Sequence, residues 1–175
     1  TGSAPILVEY DELGEWSRAG IDVDNNDTLD VASNDRIVER EQAYLSDNGY
    51  WKSVTLKTYA VSGNGTATVY SVDKERLSGF AAGVSAEMKH TDVYGNVTTT
   101  LIALDRANKK KIKNITHPDS TISEEQVTVN GLNMSERTTS NLTTTMSYDG
   151  LERLITVTEP RIGTIELAYH TRGWP

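Results

Sequence analysis

The sequence predicts an all-β protein of antiparallel hairpins, and three observations lead there. Threonine is abundant and is joined by Val, Ile and Tyr, the side chains that fit a pleated, half-buried surface. Where apolar residues recur, their period is two and not 3.6. Turn-forming residues then return at short, similar intervals, which reads as many short strands in a sheet, sandwich, barrel or winding array.

The alternation is clearest towards the end. Leu142, Thr144, Met146 and Tyr148 alternate with Thr143, Thr145 and Ser147. Ile155 and Val157 then share one face while Leu154, Thr156 and Thr158 share the other. A turn at Glu159-Pro160-Arg161-Ile162-Gly163 leads to Ile165, Leu167 and Tyr169, completing a hairpin. Earlier, Gly63-Asn64-Gly65 separates a run over 51–61 from one over 66–72, and Tyr94-Gly95-Asn96 separates 84–91 from 97–104. Asn130-Gly131, between 126–129 and 132–138, is a strong two-residue hairpin signal. One stretch, Ser33 to Leu45, can pass for a helix capped at Ser33 or Asn34, but its apolar residues make no stripe. Little or no helix is expected. No Pro/Ser-rich linker interrupts the chain, so 1–175 is read as one segment.

Bulk properties narrow the function classes. With 37% apolar residues, three Trp and eight Tyr, the chain is too rich in large side chains for a solvated tail. A net charge of −8 repels polyanions, so no nucleic-acid partner is expected. The one basic run, Lys109-Lys110-Lys111 with Lys113, reads as a solvated turn or an edge-strand guard. There is no cysteine, which removes disulfides and thiolate sites, and no apolar run approaches a membrane-spanning length. No charged-then-apolar leader opens the chain, and Gly173-Trp174-Pro175 stops in mid-pattern, so it reads as a piece of something longer.

A local pattern recurs. Val8-Glu9-Tyr10-Asp11-Glu12-Leu13-Gly14 and Ser147-Tyr148-Asp149-Gly150-Leu151-Glu152-Arg153-Leu154 both run strand, Tyr-Asp, Leu-bearing turn, strand restart. Asp92-Val93-Tyr94-Gly95-Asn96 keeps the Asp and Gly of the turn, and Tyr169 stands 21 residues after Tyr148, with His170 in the Asp place. In physical terms the Tyr buries its ring at a strand end with its hydroxyl near water. The Asp accepts turn amides, the Leu faces inward, and the Arg faces outward or pairs with an acid.

These residues resemble the YD repeat of Rhs proteins, whose core is Tyr-Asp-x-x-Gly-Arg-Leu at a spacing of about twenty residues. The likeness is specific over 140–175, fair over 84–140 and loose over 1–80. Its repeat-motif positions are Tyr10, Asp11, Gly14, Asp92, Gly95, Tyr148, Asp149, Arg153, Leu154 and Tyr169. Glu152 stands where the family has glycine, which questions the turn, because glutamate resists a positive φ. The resemblance implies a strip of β-hairpins in a hollow shell around a C-terminal effector, secreted or at the surface of a bacterium. It further implies that the partners are neighbouring repeats of the same chain and the enclosed effector, and that the segment is not an enzyme.

Other features are read against that expectation. Asp22, Asp24, Asn26 and Asp30 have oxygens at positions one, three, five and nine of a calcium-type loop. Asp27 replaces its glycine and Ser33 its closing glutamate, so an Asx-bonded surface turn is the favoured reading and calcium the alternative cofactor. His90, His117 and His170 share no ligand spacing, and Glu124-Glu125 point to opposite faces of a strand. No nucleophile elbow, phosphate loop or zinc helix motif is present, so nothing in the sequence supports catalysis. Trp16, Trp51 and Trp174, with Tyr44, Tyr50 and Tyr59, read mainly as packing residues. As a sugar-stacking face they define the alternative, an extracellular β-sandwich binding carbohydrate or a surface glycan. Six Asn-x-Ser/Thr sequons, from Asn26, Asn64, Asn96, Asn114, Asn133 and Asn141, are expected to be unmodified in a bacterial chain.

Overall fold

The structure, a computed structural model, describes residues 3–59, 65–128 and 131–169, with side chains except at 124–128. The described residues are all-β, and consecutive strands pair antiparallel over 6–78 and again over 97–166. No helix among them is long and apolar enough to cross a membrane. Contacts group the chain into two compact units, residues 1–79 with 89–97, and residues 80–88 with 98–175.

The first unit holds β1 (Ile6–Tyr10), β2 (Trp16–Ile21), β3 (Arg36–Ser46), β4 (Tyr50–Tyr59), β5 (Thr68–Ser78) and the last residues of β6 (Val84–Thr91). The helix-like stretch is strand: Ile37 pairs with Tyr59 and Leu45 with Trp51 along β3 and β4. Its lack of a helical stripe, together with β4 pairing along 37–46 and β2 along 36–39, decides the matter. Burial is concentrated on one face. Ile37 is 2% exposed and Trp51 4%, while Leu29, at 4%, folds over from the β2–β3 loop. Gly20 makes room for Leu29, because a Cβ there would stand 3.1 Å from Leu29 Cδ2 and 2.6 Å from the Arg36 carbonyl oxygen.

The β3–β4 hairpin is locked at its tip. Trp51 Nε1 donates to the Asp47 carbonyl at 3.0 Å. Arg76 donates from Nη1 to the carbonyls of Asn48 and Gly79, both at 2.7 Å, and its guanidinium lies 4.3 Å from the Trp51 ring centre. Lys89 approaches the same ring at 4.8 Å, so the indole meets two cations while shielded from water.

The second unit begins with 84–88 of β6 and continues through β7 (Val97–Asp105), β8 (Lys110–Thr116), β9 (Ile122–Thr128), β10 (Asn133–Arg137), β11 (Thr143–Tyr148), β12 (Leu154–Glu159) and β13 (Gly163–Glu166). The expected hairpin over 142–169 forms, with Met146 opposite Val157 and Val157 opposite Ile165. Hydroxyls line the other face, where Thr158 and Thr164 lie 2.9 Å apart and Ser147 and Thr156 2.6 Å apart. No residue of this unit whose side chain is described is buried.

Two expectations are corrected here. The basic run guards no edge: Lys109 sits in a turn at φ 52°, and Lys110, Lys111 and Lys113 lie on β8, paired on both sides. Thr66 and Ala67 are not yet strand, and β5 begins at Thr68. The Gly63-Asn64 and Asn130 parts of two expected turns lie outside the described residues, as do His170 and Trp174.

Candidate functional site: the aspartate turns

Three of the expected motif positions build one and the same turn. At Asp11, Asp92 and Asp149 the Oδ1 accepts two backbone amides, from the second and fourth residues on. These are Leu13 and Glu15 at 2.9 Å, Tyr94 and Asn96 at 2.9 Å, and Leu151 and Arg153 at 2.9 and 3.0 Å. Each Asp also donates its own N–H to the carbonyl four residues on, at 2.8, 3.0 and 2.9 Å. Each Asp carbonyl accepts from the residue three on, at 3.0 Å in every case. This is a type I turn followed by a left-handed bulge residue, a common way to close a three-residue hairpin loop.

The left-handed position is Gly14 (φ 81°), Gly95 (φ 82°) and Glu152 (φ 62°). The doubt raised by Glu152 is thereby answered: the turn keeps its shape and glutamate bears the strain. Asp149 compensates through Arg153, whose Nε and Nη2 reach Asp149 Oδ2 at 2.8 and 2.6 Å. That two-pronged pair, with the turn amides behind it, holds the Asp149 carboxyl below the usual carboxylate range. Asp92 is lowered chiefly by the Asn96 side chain, which donates from Nδ2 at 2.9 Å.

The tyrosines tie these turns to earlier strands. Tyr148 donates its hydroxyl to the Asn133 carbonyl at 2.8 Å, and Tyr169 donates to the Leu154 carbonyl at the same distance. Both bonds span fifteen residues, so the contact is repeated with the 21-residue offset of the two tyrosines. The hydroxyls were expected near water and instead satisfy strand-end carbonyls. Arg153 adds a link between turns, its guanidinium lying 4.6 Å from the Tyr169 ring centre. Leu154 is half-buried opposite Tyr148. Tyr10, by contrast, is 65% exposed.

Two further loops share this backbone, a likeness to the aspartate turns that was not read from the sequence. His117 donates its N–H to the Thr121 carbonyl and accepts from Ser120, while Thr138 donates to Leu142 and accepts from Asn141, all at 2.9 Å. Ser120 (φ 66°) and Asn141 (φ 58°) take the left-handed place. The available signal was a polar residue followed three places later by Ser or Asn; without Tyr-Asp before it, that signal is faint.

The acidic loop closes differently from the expected spacing. The fold assembles Asp22, Asp24 and Asp35, with carboxylate oxygens within 4.8 Å of one another. Asn26 and Asp30 instead join each other, Nδ2 to Oδ2 at 3.1 Å, with Thr28 bonded to both. Asp22 is fully buried and accepts the amides of Asn26 and Asp27 at 3.2 and 2.8 Å. Asp35 accepts those of Val23 and Asp30 at 2.8 and 2.9 Å, which lowers its carboxyl. Asp24 is pushed up, first by desolvation and then by Asp22 and Asp35. The loop is therefore held by its own amides, as an Asx-bonded turn is. Asp35 has no place in a nine-residue calcium spacing and could only be found in three dimensions.

The remaining candidates are separated. His90 Nδ1 meets Asp73 Oδ1 at 2.7 Å, both exposed, while His117 Nε2 meets Ser123 Oγ at 3.1 Å. Trp51 is buried beneath Arg76 and Lys89, Trp16 is half-buried, and Tyr44 and Tyr50 are exposed at 67% and 61%. They form no shared stacking surface with Trp51. A shallow groove of about 300 Å³ runs past Arg36, Ile37, Val38, Thr58 and Tyr59.

The fold and its turns define an antiparallel β-meander protein whose hairpins are closed by hydrogen-bonded aspartate loops. No family model and no curated protein matches the chain.

Proposed function

We propose that this chain is a structural segment of the β shell of a secreted or surface Rhs-type protein, which encloses and delivers a C-terminal effector. One observation carries the reading most directly: the tyrosine-to-carbonyl bond made by Tyr148 is made again by Tyr169, one hairpin later. Such a repeated contact is what a strip of equivalent hairpins requires, since each unit must be anchored by the same means to the one before. The second unit also has no buried residue among those described, so its sheet has faces left for other surfaces to cover. Strands in sequence order let such a strip grow by hairpins without rearrangement. In this reading the partners are neighbouring repeats and the enclosed effector, the location is extracellular, and the work done is enclosure and not catalysis.

The rival is an extracellular carbohydrate-binding module, and the burial of Trp51 takes away its best stacking residue. Negative-stain electron microscopy of the full-length parent separates the two. A closed hollow particle with internal density supports the shell; separate beads enclosing no volume would overturn it and promote the binding module.

A further inference from the structure

Asn48 and Gly49 stand at the tip of the β3–β4 hairpin, where both take positive φ, 49° and 128°, and Asn48 is exposed. Asp47 donates its N–H to the Gly49 carbonyl at 2.9 Å and so closes the loop. Among the described residues neither the Asn48 carboxamide nor the Gly49 N–H has a hydrogen-bond partner. Packing holds glycine at 49, since a Cβ there would stand 2.6 Å from the Ser78 carbonyl oxygen and 2.7 Å from Arg76 Nη1.

The Asn48 carbonyl and the Gly49 N–H belong to one planar, resonance-linked peptide unit. Arg76 Nη1 donates to that carbonyl at 2.7 Å, a charge-assisted bond. When the nitrogen of such a unit loses its proton, resonance places the negative charge on the carbonyl oxygen, where the guanidinium stands. Arg76 therefore makes the Gly49 nitrogen easier to turn into a nucleophile. The cation is also held in place, by the Gly79 carbonyl at 2.7 Å and the Trp51 ring at 4.3 Å. A fixed cation at an oxygen on which charge develops is the arrangement that stabilises oxyanions in enzymes.

We propose that Asn48 is a site of self-modification, at which Arg76 promotes conversion of the asparagine to isoaspartate. Hydroxide or water takes the Gly49 amide proton, and the nitrogen attacks Asn48 Cγ. The new C–N bond closes a five-membered imide, the Cγ–Nδ2 bond breaks, and ammonia leaves with a proton from water. Water, the only co-reactant, then adds to one of the two ring carbonyls. Arg76 polarises the carbonyl that had been main chain, so addition there is favoured and breaks its bond to the Gly49 nitrogen. The chain now runs through Cγ, and the old main-chain carbonyl is a carboxylate facing Arg76. The net change is asparagine and water giving isoaspartate and ammonia, with an ion pair to Arg76 holding the product.

Peptide mapping by mass spectrometry of the full chain, incubated at mildly alkaline pH with isoaspartate told from aspartate by fragmentation, tests this. The other Asn-Gly pairs, Asn64-Gly65 and Asn130-Gly131, serve as internal clocks. Position 48 is expected to convert with isoaspartate as the main product. Arg76→Gln, which keeps a donor and removes the charge, should slow loss of ammonia at 48 by about tenfold. It should also lower the isoaspartate share there and leave both clocks unchanged. If that variant does not fold, the unaltered chain in urea replaces it, and the isoaspartate share at 48 should fall once Arg76 is no longer held. An Asn48 that stays intact while the clocks convert overturns the proposal. So does an Arg76→Gln chain that reacts as fast or faster, a product ratio equal in native and urea-unfolded chain, or scission of the chain at 48.

Discussion

Tyr169 and Leu154 are joined by a 2.8 Å hydrogen bond from hydroxyl to carbonyl, across fifteen residues and from one hairpin to the start of the strand before it. Tyr148 makes the equivalent bond to Asn133. Removing only the oxygen isolates this link. Tyr169→Phe and Tyr148→Phe should each cost about 1 kcal/mol, because a half-buried carbonyl loses its partner while the ring stays in place. Tyr10→Phe, at an exposed position, should be near neutral. Urea unfolding of the three variants measures the contrast, and equal effects at all three would remove the anchoring role.

Glu152 holds a left-handed conformation at φ 62°. A non-glycine residue there costs about 1–2 kcal/mol, partly offset by the greater unfolded entropy of glycine. Glu152→Gly is therefore expected to stabilise the chain by about 0.5–1 kcal/mol. A lower Tm in a thermal scan would contradict the strain argument.

Asp92, Asp105, Asp119 and Asp149 all have carboxyls held below their ordinary range, led by bonds from Asn96, Asn108, Thr121 and Arg153 respectively. A lowered folded pKa means the unfolded chain binds protons first. Stability from these turns is thus complete above the unfolded value, near about pH 4, and is lost as pH falls through the folded values. Stability measured from pH 6 downward should drop in that acid window, and Asp149→Asn should make the drop shallower.

Asp24 runs the other way, its carboxyl raised by desolvation and by the neighbouring Asp22 and Asp35. Its contribution is present below the unfolded pKa and fades as pH rises through the folded one. Asp24→Asn should then raise the Tm at neutral pH in the presence of a chelator, and leave it little changed at low pH. A loss of stability at neutral pH would mean that the charge is needed.

Trp51 is the largest side chain in the small core of the first unit. Trp51→Ala should cost about 3–5 kcal/mol, a large share of a typical domain's stability. Trp16→Ala, at a half-buried site, should cost clearly less. Circular dichroism and denaturant midpoints decide between them.

The sequence by itself determined the class of fold, because strand patterning and turn chemistry are local. Period-two alternation over 142–169 marked the hairpin, and the Asp and Gly or Asn residues marked turns such as 92–96, since a side-chain acceptor and a left-handed φ are properties of a few adjacent residues. Tertiary structure alone decided the rest. Within the stretch over 33–45, residues from Arg36 onward became strand because β2 and β4 offered them ladders on both sides. Asp35 joined Asp22 and Asp24, Arg153 stacked on Tyr169, and Trp51 lost its solvent-facing surface under Arg76. Each of these brings together residues distant along the chain, and such proximity is a consequence of strand register, which no short window of sequence contains.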